Sequence, residues 1–371
     1  MQNRNQRLIG LIVVAMLSTM IVSASGSQKS YSQRQLTING AGATFPFPLI
    51  DTWRVAYQKV HPDVNINYQS IGSGEGLREF AAKTVDFGAS DTPLTTEERQ
   101  AVPGVVQLPE TIESVVVAYN IPGIPTKMLK FTGPVLADIF QGNITKWNDP
   151  RIKALNPGVS LPDANIVVVH RSDGSGTNYV WTSYLSSQSR SWNQSAGASK
   201  SVTWPTGIGV PDNEGVANAV KGSPNTLAYI DLNYAITTGI PYALIKNSAG
   251  KYIAPSLDST QQAVSNAPVA KSLPEGDQPW TKVSLLNSPG PTTYPIATFT
   301  YLLLPKDLNT NPSLDQTKAK ALVDFISWSI TDGQKLAANL GYVPLPAVVV
   351  KHNQDTLKSL TFKGTPLYTG Q

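Results

Sequence analysis

Ile166-Val167-Val168-Val169 leads through Arg171-Ser172-Asp173-Gly174-Ser175-Gly176-Thr177 into a stretch where Val180, Trp181, Tyr184 and Leu185 recur at three- and four-residue spacing. β-branched residues suit a buried strand, and a 3.6-residue period gathers apolar side chains on one helix face, so the stretch reads as strand, glycine loop, helix. The same order occurs twice upstream. Leu36 to Asn39 predicts a strand, Gly40-Ala41-Gly42-Ala43-Thr44 a loop, and Leu49, Ile50, Trp53, Ala56 and Tyr57 a helix whose first turn accommodates Pro46 and Pro48. Val64, Ile66 and Tyr68 alternate as in a strand, Ile71-Gly72-Ser73-Gly74-Glu75-Gly76 turns, and Leu77, Phe80 and Ala81 begin a helix. Strands joined through helices define an α/β protein.

Downstream, Lys246 to Gly290 loses periodicity and fills with Ser, Asn, Pro and Gly, which predicts long connections with one helix around Ser259 to Ser265. A strand is expected at Ile296 to Leu304 and a helix at Asp315 to Ser329. No repeat at a fixed short period interrupts this pattern.

The 371 residues, 41% hydrophobic and 15% charged, suffice for two globular domains with sizeable cores. Arg4 and Arg7, the apolar run Leu8 to Val22 and the small residues Ser23-Ala24-Ser25-Gly26 predict a targeting segment over residues 1–26, and hence work outside the cytoplasm. A run of about 15 residues is short for a membrane span, and both a cleaved signal peptide and an N-terminal anchor stay open. Without those two arginines, 27 of the 29 Lys and Arg face 25 Asp and Glu, too small an excess to point to nucleic acid. With no cysteine, disulfides, thiolate catalysis, cysteine metal sites and a lipid-modified N-terminal cysteine are excluded.

A helix N-terminus presents unpaired backbone N–H groups and a partial positive charge, so a small-residue loop feeding one is suited to hold an anion. For any single loop a tight turn with an N-cap is the simpler reading; three in one chain favour the anion. Thr44, Ser73, Ser175 and Thr177 add hydroxyl donors there, and Arg171 offers a planar fork that matches tetrahedral oxyanions. A surface arginine paired with Asp173 remains the alternative for Arg171. Asp91 ends Val85-Asp86-Phe87-Gly88-Ala89-Ser90-Asp91, just ahead of Thr95-Thr96-Glu97-Glu98, which has capping-box form. A carboxylate suits an anion site only when the ligand carries a proton. Phosphate near neutral pH keeps an O–H for Asp91 to accept, whereas sulfate brings only lone pairs. An ordinary turn aspartate is the other reading.

Gly40-Ala41-Gly42-Ala43-Thr44-Phe45-Pro46, the stretch from Val85 to Asp91, Arg171 through Thr177, and Gly341-Tyr342-Val343-Pro344-Leu345-Pro346 closely resemble the phosphate-binding proteins that serve the high-affinity phosphate ABC transporter, in the same order from Leu36 to about Pro346. The resemblance implies a non-enzymatic, periplasmic-binding-protein-like fold of two α/β lobes joined by two crossing segments. Residues 36–110 with 290–371 would form one lobe and 111–289 the other. It implies a monomer without cofactor or metal that closes around inorganic phosphate and delivers it to membrane permease subunits. Carried over motif by motif, the contacts are Thr44 and Phe45 through backbone N–H and hydroxyl, Ser73, Asp91, Arg171, Ser175, Gly176 and Thr177, with Asp173 orienting Arg171 by a salt bridge. The departure is Gly74-Glu75-Gly76, where the family has further small residues. Glu75 must either face solvent or lower the affinity.

Two other classes stay in view. A secreted phosphatase-like hydrolase needs a base, but the three histidines, His61, His170 and His352, are poorly placed; His170 should point to the strand face opposite Arg171. A binding protein for sulfate or molybdate keeps the fold, but sets Asp91 against a ligand without a proton.

Overall fold

The computed structural model describes residues 35–268, 272–368 and 370. The targeting segment expected over residues 1–26 lies outside them. The main strands follow as β1 Leu36–Gly42, β2 Val64–Ser70, β3 Phe87–Ser90, β4 Val105–Asn120, β5 Lys130–Phe131, β6 Val167–Arg171, β7 Ile208–Val210, β8 Thr226–Asp231, β9 Leu244–Lys246, β10 Tyr252–Ile253 and β11 Ala297–Pro305.

An eight-stranded sheet runs in the order β2-β1-β3-β11-β4-β8-β6-β7. β1 is parallel to β2 and β3, and β6 is parallel to β7 and β8. β11 and β4 are set antiparallel between these groups. The long strand β4 divides the molecule into two lobes. Val105 to Ser114 pairs with β11, whereas Val115 to Asn120 pairs with β8. A second crossing runs beside it, where the Val115 N–H donates to the Ile296 carbonyl at 2.9 Å and Ala297 lies opposite Ser114. Each lobe has its own core. Ile38, Trp53, Phe87, Leu108, Phe299, Leu322 and Ile326 belong to one, and Val117, Phe131, Phe140, Trp147, Val168, Trp181 and Leu227 to the other.

Helices form where the apolar spacing predicts them. Phe47–Val60 follows Pro46 and carries Pro48 in its first turn, and Gln316–Ser329 is capped by Asp315, which accepts the Lys318 N–H at 2.8 Å. Leu257–Asn266 is the helix expected in the aperiodic stretch, and beyond it Trp280, Val283 and Leu285 pack into the first core.

Two expectations fail locally. The helix expected to begin at Leu77 starts at Ser73, so Ser73-Gly74-Glu75-Gly76, read as a turn, forms its first turn. Gly40-Ala41-Gly42, read as loop, continues β1, because β2 and β3 flank it and pair with it to the end. The small residues there make room rather than turns. Gly42 has a φ of +146°, and a Cβ on Gly76 would lie 2.1 Å from the Gly42 Cα. The first turn of the helix Ser73–Ala81 therefore rests directly on the end of β1. Gly76→Ala is expected to destabilise the fold by about 1–3 kcal/mol through overpacking, read as a lower urea midpoint; an unchanged midpoint would remove this contact's importance.

Candidate functional site

The glycine-bearing stretches at the ends of β1, β2 and β6 converge beside Asp91, which follows β3, at an edge where an open α/β sheet offers a crevice. Contact across the crevice is direct, since the Gly74 N–H donates to the Gly174 carbonyl at 2.7 Å. A Cβ on Gly176 would stand 2.5 Å from the Asp91 Cβ and 2.6 Å from the Ser73 Oγ. The lobes are thus shut on one another at the loops, and only glycine fits at position 176. Gly176→Ala is expected to leave the unfolding midpoint near wild type while cutting anion affinity at least roughly tenfold, because closure stops short. Unchanged affinity in a titration would show that the lobes need not approach this closely.

Ser73 and Asp91 form a local pair: the Ser73 hydroxyl donates to Asp91 Oδ2 at 3.3 Å, and the Asp91 N–H donates to Ser73 Oγ at 3.1 Å. Asp91 is 1% exposed and its Oδ1 has no hydrogen-bond partner among the described residues. Burial pushes its carboxyl up to about 7, although Arg171, Ser73 and Lys200 pull the other way.

Arg171, at the end of β6, is 2% exposed. Its Nε and Nη2 bond Asp173 Oδ1 at 2.7 Å and Oδ2 at 2.5 Å, the two-pronged geometry that fixes a guanidinium plane. Nη1 points elsewhere, to Asn213 Oδ1 at 3.1 Å and Thr177 Oγ1 at 3.5 Å. Ser175 caps the helix Gly176–Gln188 by accepting the Asn178 N–H at 3.1 Å, which leaves its own hydrogen uncommitted. Thr44 is buried and accepts from Asn213 Nδ2 at 2.9 Å. Phe45 sends its ring into the core of the other lobe, while its carbonyl accepts the Tyr342 hydroxyl at 2.7 Å.

Thr44, Phe45, Ser73, Asp91, Arg171, Asp173, Ser175, Gly176 and Thr177 therefore lie in one place, although they come from four separated stretches. Glu75 takes the first of its two alternatives: it pairs with Arg78 on its own helix at a partly exposed position. The histidines stand apart. His170 stacks on Trp204 with ring centres 4.6 Å apart, His61 on Tyr57, and His352 edge-on to Trp280. Burial lowers the pKa of His170, which keeps it neutral.

Residues 24–332 match the model of the PBP superfamily domain. The chain is 41% identical over 340 residues to the phosphate-binding protein PstS of Pasteurella multocida, an alignment covering 92% of this chain and 95% of that protein. Identity to PstS of Xylella fastidiosa is also 41%, over 318 residues, with 86% and 84% covered. This chain belongs to the PstS family. A solved phosphate-binding protein from Stenotrophomonas maltophilia shares the fold, with a TM-score of 0.63 at 20% identity and coverage of 87% of this chain and 93% of that one. The family's two-lobed architecture is the one built here around β4 and the second crossing beside β11.

Five residues of the site escaped the sequence reading: Asn213, Asp231, Tyr229, Tyr234 and Tyr342. Asn213 opens the helix Asn213–Gly222 and touches Thr44, Arg171 and Asp231. Tyr229 accepts the Arg171 N–H at 2.9 Å, Tyr234 donates to the Thr44 carbonyl at 3.0 Å, and Tyr342 holds Phe45. Only Tyr342 carried a signal, through the Gly341 to Pro346 motif, whose Val343 N–H also bonds the Ile112 carbonyl in β4.

Behind the site, β4 buries Glu110 and Glu113. Glu110 Oε1 accepts from the Thr300 hydroxyl at 3.0 Å, Oε2 has no partner among the described residues, and burial pushes the carboxyl up to about 8, with the Thr300 bond opposing and the Asp91 charge adding. A folded-state pKa above the unfolded one means that the native protein holds a proton the unfolded chain releases. Stability should therefore fall as pH rises from about 4.5 towards about 8, by at most about 1.4 kcal/mol per pH unit for this group. Glu110→Gln should flatten that part of the slope in urea unfolding of the phosphate-free protein. Parallel slopes for both proteins would mean that Glu110 is ionised throughout.

Proposed function

We propose that this protein captures inorganic phosphate outside the cytoplasmic membrane and passes it to the permease subunits of an ABC transporter. The observation that carries the reading is Asp91, a buried carboxyl that accepts from the Ser73 hydroxyl and has one oxygen unpartnered among the described residues, placed among donors: Arg171, the hydroxyls of Thr44, Ser175 and Thr177, and the start of the helix Gly176–Gln188. Such a set suits a tetrahedral anion that still carries a proton. The relatives' name, phosphate-binding protein PstS, supports the same ligand.

In this reading Thr44, Phe45, Ser73, Asp91, Arg171, Ser175, Gly176 and Thr177 contact phosphate, and Asp173 orients Arg171. The lobes consist of about residues 36–110 with 290–371 and of about residues 111–289, with the crossings themselves a few residues beyond those bounds, at Ser114–Val115 and Ile296–Ala297. The stretch holding Trp280 to Leu285 rests on the first lobe's core. Binding rather than catalysis is favoured because the ring of His170, the histidine nearest Arg171 in sequence, is engaged away from any nucleophile, stacked on Trp204 with Nδ1 3.1 Å from the Arg171 carbonyl. Export through residues 1–26 and action as a monomer complete the proposal.

Titration calorimetry decides it, on the chain from Ser27 stripped of anion, with phosphate and then sulfate at one pH and salt. One-to-one phosphate binding, with sulfate weaker by roughly a thousandfold or about 4 kcal/mol, is expected. The same titration in EDTA should be unchanged. Equal binding of the two anions, or none, would end the phosphate reading and leave the fold.

A further inference from the structure

A threonine hydroxyl has one hydrogen and two lone pairs, and it helps an anion only if the hydrogen is free to point at it. Thr44 and Thr177 stand on opposite lobes, and a single side chain reaches both hydroxyls, alone at Thr44 and together with Arg171 at Thr177. Asn213 Nδ2 lies 2.9 Å from Thr44 Oγ1 and 3.4 Å from Thr177 Oγ1. As a donor it can occupy only the acceptor side of each hydroxyl, which leaves the Thr44 hydrogen for another acceptor, while the Thr177 hydrogen has the Asp231 carboxyl as a competing acceptor. The amide is held in that sense from both ends. Its Oδ1 accepts Arg171 Nη1 at 3.1 Å, and Nδ2 also donates to Asp231 Oδ2. Two N–H bonds thus serve three acceptors, with Asp231 and Thr44 the nearest and Thr177 shared with the guanidinium.

The backbone placing this amide is tied to the same site. Asp212 caps the helix Asn213–Gly222 through the Gly215 N–H at 2.6 Å, and its own N–H donates to Asp173 Oδ1 at 3.3 Å. Asn213 and Asp231 are both fully buried. The Asn213–Thr44 bond spans the crevice.

We propose that Asn213 is a positioning residue of the anion site: its amide bonds the acceptor side of the Thr44 and Thr177 hydroxyls, turns the Thr44 hydrogen toward a bound oxyanion, and links the two lobes. The inference rests on the phosphate reading, and its role is orientation rather than direct contact with the anion.

The test is a double-mutant cycle read by phosphate titration, with Thr44→Val, Asn213→Ala and the pair. Thr44→Val is expected to weaken binding tens of fold in the wild-type background but only a fewfold beside Asn213→Ala, because an unoriented hydroxyl contributes little. Asn213→Ser, which retains a donor, should recover part of the affinity lost in Asn213→Ala, whereas a space-filling role makes the two alike. Thermal unfolding without phosphate identifies any variant that fails to fold, and the serine variant then carries the comparison. Independent losses with serine no better than alanine overturn the role of Asn213. A wild-type protein that binds no phosphate instead overturns the reading of the site itself.

Discussion

Replacing Arg171 by alanine is expected to weaken phosphate binding by about 2–5 kcal/mol, roughly thirtyfold to several thousandfold. The guanidinium is buried at the end of β6 and is the fixed positive charge placed against Asp91, Ser73 and the glycine loops. Removing it strands a dehydrated anion beside the Asp91 and Asp231 carboxyls. Asp173 complicates the accounting only slightly: about a fifth of its side chain is exposed, so it can take water when its partner is lost. Arg171→Lys should recover little, because one ammonium cannot span both Asp173 oxygens and also reach Asn213 and Thr177. Calorimetry on both variants, with urea midpoints as the folding control, reads the result. Affinity within threefold of wild type in folded Arg171→Ala would place the anion elsewhere.

Much of the fold was legible because its signals are local. Val167 to Val169 are β-branched and Leu49, Ile50, Trp53 and Tyr57 keep helical spacing, so strand and helix follow from neighbours in the chain. Asp315 and Thr95 mark helix starts by the same logic; the Thr95–Glu98 capping box forms as its residues suggest. The failures are tertiary. Gly40 to Gly42 look like a turn, yet two flanking strands hold them extended, and the absent side chains serve close approach to Gly76 and β3. Trp280, Val283 and Leu285 have no period because they reach the core from irregular backbone, where burial needs no repeat.

The site divides in the same way. Ser73, Ser175 and Gly176 were readable as loop and cap residues, and Asp91 as a carboxylate whose presence demanded a protonated ligand. Asn213 and Asp231 were not, since nothing in Pro211-Asp212-Asn213-Glu214-Gly215 or in the end of β8 distinguishes them from any helix start. Their importance arises from partners 169 and 18 residues from Asn213, at Thr44 and Asp231, and such spacing leaves no pattern in one sequence.

Sulfate affinity of the wild-type protein is expected to drop about tenfold for each pH unit above about 7 and to level off below it. The cause is Asp91, whose carboxyl burial raises to about 7 against the pull of Arg171, Ser73 and Lys200, while Asp173 adds to the rise. Below that pH the group is neutral and its O–H can donate to an oxyanion that has only lone pairs. Above it the carboxylate repels such a ligand, and the apparent affinity follows the shrinking neutral fraction. Phosphate escapes the penalty because it supplies the proton itself, so selectivity should widen as pH rises. Asp91→Asn separates this account from simple burial. An amide donates at every pH, so sulfate binding to the variant should lose its pH dependence and the phosphate preference should shrink by roughly the unpaired-group penalty of about 1–3 kcal/mol or more. Titrations of both proteins with both anions between pH 6 and 9, at constant ionic strength, test the two claims together. A flat sulfate profile in the wild type, or an unchanged anion ratio in the variant, would mean that discrimination arises from the donors around Arg171 and that Asp91 only braces Ser73.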